Sequence, residues 1–142
     1  NWEGSGVKPD IEINSINALT KAHVLALEKI SADLKDENTK KIYSWLAESL
    51  TATLNNLVID PSILKKYEGD YGERKIYLED GNLFYQRNGR QKFELTPMSD
   101  NTFMLNEIDY FRLRFESDSV GNIVSVTGLY YDGKTDSSPK SN

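Results

Sequence analysis

The most specific chemical motif in the sequence lies near its carboxyl end. Residues 128–135 read Gly-Leu-Tyr-Tyr-Asp-Gly-Lys-Thr, which satisfies the phosphate-binding pattern G-x-x-x-x-G-K-[ST]. In a nucleotide-binding loop this pattern follows a strand and opens a helix, whose first amides hold the phosphates. Here residues 129–131 continue a strand-like run, and Pro139 lies in the short polar stretch where a helix would have to form. The motif therefore predicts a turn on Asp132 and Gly133, not a phosphate site.

Three other arrangements of reactive side chains have simple structural explanations. His23 lies in a helical apolar pattern without a nucleophile and a carboxylate gathered around it, so a helix-packing histidine is predicted. Residues 118–122 lack both the EF-hand spacing and its closing glutamate, which indicates a solvated turn. Acidic pairs such as Glu107 with Asp109 fall in predicted turns, where the sequence indicates no dry pocket for acid–base work.

The second half of the chain is rich in tyrosine and phenylalanine. Filling a small β core is the ordinary role of such residues, and a cavity for an apolar ligand or a surface for assembly is the functional alternative. The candidate ligand-binding or assembly surface consists of five aromatic residues of the predicted strands: Tyr77, Tyr85, Phe93, Phe111 and Phe115.

The composition excludes several classes of function. Among 142 residues there are no cysteines and one histidine, which removes disulfides, thiol nucleophiles, Cys-ligated zinc and iron–sulfur clusters; no metal or other cofactor is predicted. The net charge of -5 includes no basic stripe, so nucleic acid is not an expected partner. No apolar run approaches the ~20 residues of a membrane-spanning helix. A hydrophobic content of 38% is enough to form a packed core.

The first half of the chain is predicted to form two antiparallel helices. Residues 14–57 contain neither glycine nor proline, and their apolar residues recur at helical spacing on both sides of a polar turn at residues 35–38. The stripe of the first helix comprises Ile16, Leu19, His23, Ala26, Leu27, Ile30 and Leu34, and that of the second comprises Ile42, Leu46, Leu50, Leu54 and Leu57, with Trp45 beside it.

Beyond the helices, the sequence predicts strands. Asp60 and Pro61 begin a short third helix that ends near Tyr67, and from Gly69 onward the apolar period becomes two. Dipeptides such as Asp80-Gly81 and Asn88-Gly89 favour tight hairpins. We expect about six or seven antiparallel strands ending near residue 131, and a loose polar tail over residues 132–142.

The predicted fold class is α+β, with a helical hairpin followed by an antiparallel sheet in a half-open barrel. Both apolar helix stripes must be covered by another apolar surface of the chain. Two apolar strand faces are expected to supply it: Ile76 with Leu78, and Phe111 with Leu113 and Phe115.

The amino-terminal segment resembles a conserved stretch of one enzyme family. Residues 2–12 read Trp-Glu-Gly-Ser-Gly-Val-Lys-Pro-Asp-Ile-Glu, followed by Ile13 and a helix rich in alanine and leucine. This is similar to the W-E-G-x-G-V-x-P-D-I-E-V run that closes the catalytic domain of C-terminal-processing and tricorn-like serine peptidases, a family that includes relatives of interphotoreceptor retinoid-binding protein. Only the last position differs, with isoleucine in place of valine.

A second resemblance concerns the predicted strands. Residues 67–72, Tyr-Glu-Gly-Asp-Tyr-Gly, are similar to the Y-x-G-x-Y opening of lipocalin-like β tail domains appended to bacterial serine hydrolases. The resemblances imply three parts: the truncated end of a catalytic domain at 1–13, a helical hairpin at 14–59 and a β tail domain at 60–142. The chain begins at Asn1 without a methionine or a leader, which is expected of a piece cut from a longer protein.

The resemblance implies a role without catalysis. The peptidase nucleophile and its lysine or histidine partner lie upstream of the shared motif, and Ser5 occupies a motif position where the family has no nucleophile. The chain is then expected to be an accessory domain of a periplasmic or extracellular bacterial peptidase, which packs on its own catalytic domain, guides homo-oligomer assembly or gates substrate access. The alternative is a β module that binds a small ligand or peptide on its aromatic face.

Overall fold

The computed structural model describes residues 14–142, apart from the side chain of Ile16. The segment 1–13, with its motif, lies outside the described residues. The helices are α1 (Ser15–Asp33), α2 (Glu37–Asn55) and α3 (Pro61–Leu64), and a 3₁₀ turn follows at Lys65–Tyr67. The strands are β1 (Gly69–Tyr71), β2 (Arg74–Glu79), β3 (Asn82–Arg87), β4 (Lys92–Pro97), β5 (Thr102–Leu105), β6 (Ile108–Ser117), β7 (Ile123–Tyr130) and β8 (Thr135–Pro139). The predicted α+β order, helices before strands, is confirmed.

The eight strands form one antiparallel sheet that curves into a nearly closed barrel. Each strand pairs with the next along the chain, in the order β1 to β8. The two edges meet where the Ser141 amide donates a hydrogen bond of 2.8 Å to the carbonyl oxygen of Asp70. Hairpin turns with a left-handed residue join several strands, as at Asp80 (φ 50°) and Asn88 (φ 48°). The half-open barrel expected from the sequence is therefore present, but it has eight strands instead of the predicted six or seven.

The prediction of a loose tail was wrong, because part of the tail forms β8. This strand pairs with β7 in a register that places Asp136 opposite Gly128 and Ser138 opposite Val126. The strand carries polar side chains at its inward positions, so the alternation of apolar and polar residues that marks other strands is missing. Residues 128–130 continue β7 and Thr135 begins β8, so the phosphate-binding motif is a hairpin, as predicted.

The barrel interior is filled by apolar side chains and is capped by the 3₁₀ turn. The ring of Tyr67 lies 4.5 Å from that of Phe115 and 5.5 Å from that of Phe103, measured between centroids. The Tyr67 hydroxyl donates to the Asp100 carbonyl oxygen at 2.5 Å, and the Tyr71 hydroxyl donates to the Tyr67 carbonyl oxygen at 2.7 Å. The short helix begins as predicted, because the Asp60 carboxylate accepts the Ser62 amide at 2.8 Å. This end of the barrel is closed by the cap.

The two long helices pack against each other along a face that differs from the predicted stripe of α1. Val24 and Leu27 are buried, whereas Leu19 is 83% exposed and Ile30 is 45% exposed. His23 and Ala26 are also exposed, so the prediction of a helix-packing histidine was wrong. We call the exposed set Leu19, His23, Ala26 and Ile30 the α1 stripe. The apolar pattern is wider than the surface that α2 covers, and the α1 stripe is the part left uncovered.

The expected contact between the helices and the apolar strand faces was also wrong. Ile76, Leu113 and Phe115 belong to the barrel core. Side chains alternate across a strand, so the neighbour Arg112 points outward, and α2 contacts the barrel there. None of the helices within residues 14–142 is long and apolar enough to cross a membrane.

Gly128 has the tightest surroundings of the glycines in the barrel wall. A β-carbon there would overlap Asp136 Oδ1 and would lie 2.7 Å from Phe111 Cε2 and 2.9 Å from Arg74 Nη2. We expect Gly128→Ala to lower the free energy of unfolding by about 1–3 kcal/mol, because overpacking forces these groups apart. Gly133→Asn is the control for loss of a glycine without overpacking: the space there is open, and asparagine is among the residues that best tolerate a positive φ such as 87°, so a smaller loss is expected. Equal urea midpoints for the two variants would contradict the prediction.

Candidate functional site

The end of the barrel opposite the cap carries a small cavity with an aromatic lining, which we call the mouth pocket. Its volume is about 210 Å³. In an antiparallel meander alternate turns meet at one end of the sheet, and the turns near residues 88–91, 106–107 and 131–134 surround this end. Three of the five aromatic residues predicted from the sequence line the pocket: Tyr85, Phe93 and Phe111, together with Leu105, Ile108 and Tyr130.

The rings of the mouth pocket pack against one another. The Phe111 ring lies 4.9 Å from that of Tyr130 and 5.9 Å from that of Tyr85, in both cases tilted by 51°. Tyr85 and Phe111 are buried, and Phe93 and Tyr130 are partly exposed. The pocket therefore has a rigid aromatic floor and an accessible rim.

The other two predicted residues lie elsewhere. Phe115 is 1% exposed and belongs to the closed end of the core, in contact with Tyr67, Tyr71 and Phe103. Tyr77 is on the outer face of the barrel, where its hydroxyl donates to Gln86 Oε1 at 2.7 Å and Lys75 Nζ lies 5.2 Å from its ring centroid. The structure thus brings together three of the five residues, because Tyr77 faces outward and Phe115 lies at the opposite end.

Arg74 is a buried residue near the mouth that the sequence analysis missed. Its side chain is 3% exposed; Nη1 donates to Ser138 Oγ at 2.8 Å, and Nη2 contacts Asp136 Oδ1 at 2.5 Å. Its Nε atom is buried without a hydrogen-bond partner. Burial raises the pKa of the Tyr85 phenol, and a hydrogen bond with Arg74 opposes that effect. Arg74 lies two residues before Ile76 on the same strand, and side chains two apart face the same side. This spacing could have identified Arg74 as an inward-facing residue from the sequence.

Two further arginines lie at the rim of the mouth pocket, one paired and one unpaired. Arg87 binds the Glu73 carboxylate through Nε at 3.1 Å and Nη2 at 2.8 Å, and this hydrogen bond lowers the pKa of Glu73. Arg90 lies in the turn between β3 and β4 and also lines the pocket. Within residues 14–142 the Arg90 guanidinium has neither an ion-pair partner nor a hydrogen-bond partner. The rim therefore offers one unpaired cation beside an aromatic surface.

A second buried arginine joins the helical hairpin to the barrel. Arg112 on β6 donates through Nη2 to the Trp45 carbonyl oxygen at 2.6 Å and to Ser49 Oγ at 2.9 Å, and through Nη1 to Glu48 Oε2 at 2.6 Å. Its guanidinium carbon lies 3.5 Å from the centroid of the Trp45 ring. The Trp45 indole in turn donates to the Asp109 carbonyl oxygen at 2.5 Å. Burial lowers the pKa of Arg112. We call this contact the Arg112 clasp.

Several other polar groups have structural partners. Asp118 accepts the Val120 and Asn122 amides at 3.0 and 2.8 Å, so the predicted solvated turn at residues 118–122 is confirmed. The serine hydroxyls that hydrogen-bond within residues 14–142 do so with other hydroxyls, carbonyl oxygens, amides or arginine, for example Ser31 with Ser44 at 3.1 Å. No group of three or more acidic or histidine side chains in this range is placed to hold a metal ion.

Comparisons of the chain with protein-family models, with curated proteins and with solved structures found no match. The functional interpretation therefore depends on the geometry described above and on the sequence resemblance.

Proposed function

We propose that the chain is a non-catalytic accessory domain from the C-terminal region of a periplasmic or secreted bacterial serine peptidase. Its role is to pack on the catalytic domain, and in doing so to support assembly or shape access to the active site. The observation that carries this proposal is the α1 stripe, an apolar helix face that the rest of the described chain leaves exposed.

The position of the α1 stripe in the chain supports a catalytic domain as its partner. Helix α1 begins at Ser15, directly after the segment that resembles the end of a peptidase catalytic domain. A catalytic domain ending there would therefore lie beside this helix. Covering a leucine or isoleucine side chain contributes about 1.5–3 kcal/mol, so Leu19 and Ile30 would be strong anchors.

The packing of the barrel supports a scaffold role over a ligand-carrying barrel. Phe103, Leu113, Phe115 and Val126 fill the interior and are at most 1% exposed. A barrel that carries a ligand deep inside keeps an enclosed cavity of several hundred Å³. Within the described barrel, the mouth pocket is a shallow space of about 210 Å³ above this filled interior.

A second apolar surface supports assembly. Ile42, Tyr110 and Tyr131 are 38%, 52% and 41% exposed, and with Trp45 and Leu46 they line a shallow groove between α2 and the barrel. Clustered exposed apolar residues of this kind mark contact surfaces.

The experiment compares the 142-residue protein with a longer protein that includes the upstream coding sequence. We expect casein hydrolysis only from the longer protein. In that protein, Leu19→Asp with Ile30→Asp should loosen the attachment of α1 and change activity, whereas Lys21→Asp with Lys29→Asp, on other faces of the helix, should not. Hydrolysis by the 142-residue protein, or an upstream sequence without a serine peptidase core, would refute the proposal.

A further inference from the structure

We infer that the mouth pocket binds a small organic anion, specifically a carboxylate attached to a flat aromatic ring system. The inference does not depend on the α1 stripe, which belongs to the helical hairpin, whereas the mouth pocket lies within the barrel. Tyr110 lines both the mouth pocket and the groove between α2 and the barrel. It depends on the size of the pocket, its lining and the unpaired cation at its rim.

The size of the pocket limits the ligand. A shallow, open-sided space of about 210 Å³ has room for a one- or two-ring compound. The pocket does not extend into the closed end of the barrel, because the side chains of Phe103, Leu113 and Phe115 fill the interior there.

The lining favours an aromatic body. Tyr85, Phe93, Phe111 and Tyr130 surround the space, and Leu105 and Ile108 complete it. Ring pairs prefer offset or tilted arrangements at centroid distances of about 4.5–7 Å, and the rings of the pocket already adopt this geometry among themselves. A flat ligand can add one more ring to the cluster without a rearrangement of the floor.

The charges at the rim favour an anion. Two arginines line the pocket, Arg87 and Arg90, and Arg87 is neutralised by Glu73. A third, Arg74, is buried near the mouth and is neutralised by Asp136. Arg90 has no such partner in the described part of the chain. The Glu107 carboxylate, in the turn between β5 and β6, accepts a hydrogen bond from Gln91 Nε2 at 3.5 Å. A ligand carboxylate would therefore provide Arg90 with a charge-assisted hydrogen bond while its ring lies against Phe93.

The turn that carries Arg90 is held in place before any ligand arrives. The Arg90 amide donates to the Arg87 carbonyl oxygen at 2.9 Å, and Gln86 Nε2 donates to the Arg90 carbonyl oxygen at 2.6 Å. The main-chain amide and carbonyl groups of Arg90 are therefore both hydrogen-bonded, and only the Arg90 side chain must be ordered on binding. This lowers the entropy cost of forming the ion pair.

The test measures the binding of 2-naphthoate to the 142-residue protein by calorimetry, with Arg90→Gln as the test variant. Arg114→Gln is the matched control, because Arg114 is an exposed arginine on the outer side of β6 that pairs with Glu116. We expect saturable 1:1 binding, weakened about five- to tenfold by Arg90→Gln and changed by less than about twofold by Arg114→Gln.

Two further readouts separate the proposed site from nonspecific association. The neutral analogue 2-naphthalenemethanol should bind more weakly than 2-naphthoate and should not respond to Arg90→Gln. Amide chemical-shift changes on addition of 2-naphthoate should cluster at residues 88–91 and around Phe111 and Tyr130. Absence of saturable binding, equal effects of the two arginine variants, or shift changes centred elsewhere would overturn the inference.

Discussion

Phe115→Ala is expected to lower the free energy of unfolding by about 3–5 kcal/mol, the range for removing a phenylalanine ring from a packed core. The side chain is 1% exposed and its ring contacts those of Tyr67, Tyr71 and Phe103 at centroid distances of 4.5, 5.8 and 5.6 Å. Because Tyr67 belongs to the cap, the loss of Phe115 should also loosen the closed end of the barrel. Urea unfolding followed by circular dichroism measures the effect.

The control for this prediction is Phe84→Ala. Phe84 is on the outer side of β3 and is partly exposed, with Lys92 Nζ 4.8 Å from its ring centroid. Its removal should cost about 1 kcal/mol or less, because little core volume is lost. Similar losses for the two variants would mean that Phe115 does not lie in a packed core.

Arg112→Ala is expected to lower the free energy of unfolding by about 2–3 kcal/mol. Breaking a fully buried ion pair costs about 3–5 kcal/mol, and the lower figure applies because the Glu48 side chain is 61% exposed. The variant also removes one donor from the Trp45 carbonyl oxygen, which keeps that of Ser49 Oγ at 3.1 Å, and removes the guanidinium from the indole ring. The helical hairpin should then separate from the barrel before the barrel itself unfolds.

Hydrogen exchange of α2, together with Trp45 fluorescence in a Trp2→Phe background, measures this separation. Arg114→Ala is the control, because Arg114 is two residues further along the same strand and is exposed. Arg112→Lys should behave more like Arg112→Ala than like the wild type, since one ammonium cannot replace two nitrogens that bind three acceptors. Unchanged exchange in α2 of Arg112→Ala would show that the clasp does not hold the hairpin.

Local signals in the sequence predicted much of the fold. The run of residues 14–57 without glycine or proline predicted two helices, and the Asp60-Pro61 cap placed the third. The change to a period of two after Gly69 predicted an antiparallel sheet. The phosphate-binding motif is not followed by a sequence that could form a helix, and this correctly indicated a hairpin. Each of these depends on neighbouring residues alone, and such signals can be interpreted without the tertiary structure.

The features missed by the sequence analysis depend on contacts between distant parts of the chain. Strand β8 has polar inward residues because they meet Arg74, which is more than 60 positions away in the chain. The sequence showed that the first helix carries an apolar stripe. Only the packed hairpin shows which part of the helix is covered: Val24 and Leu27 are buried, and Leu19 in the α1 stripe is exposed. Likewise, aromatic content alone could not separate Phe115 in the core from Phe93 at the mouth.

The central claim, that the α1 stripe is a contact surface for a preceding domain, can be tested by thiol labelling. The chain contains no cysteine, so Ile30→Cys introduces a single reactive group within it, and Lys29→Cys on the same helix provides the control. We predict fast labelling of both variants in the 142-residue protein. In the longer protein with its upstream sequence, labelling should become slow at position 30 and stay fast at position 29. Equally fast labelling at both positions of the longer protein would contradict the claim.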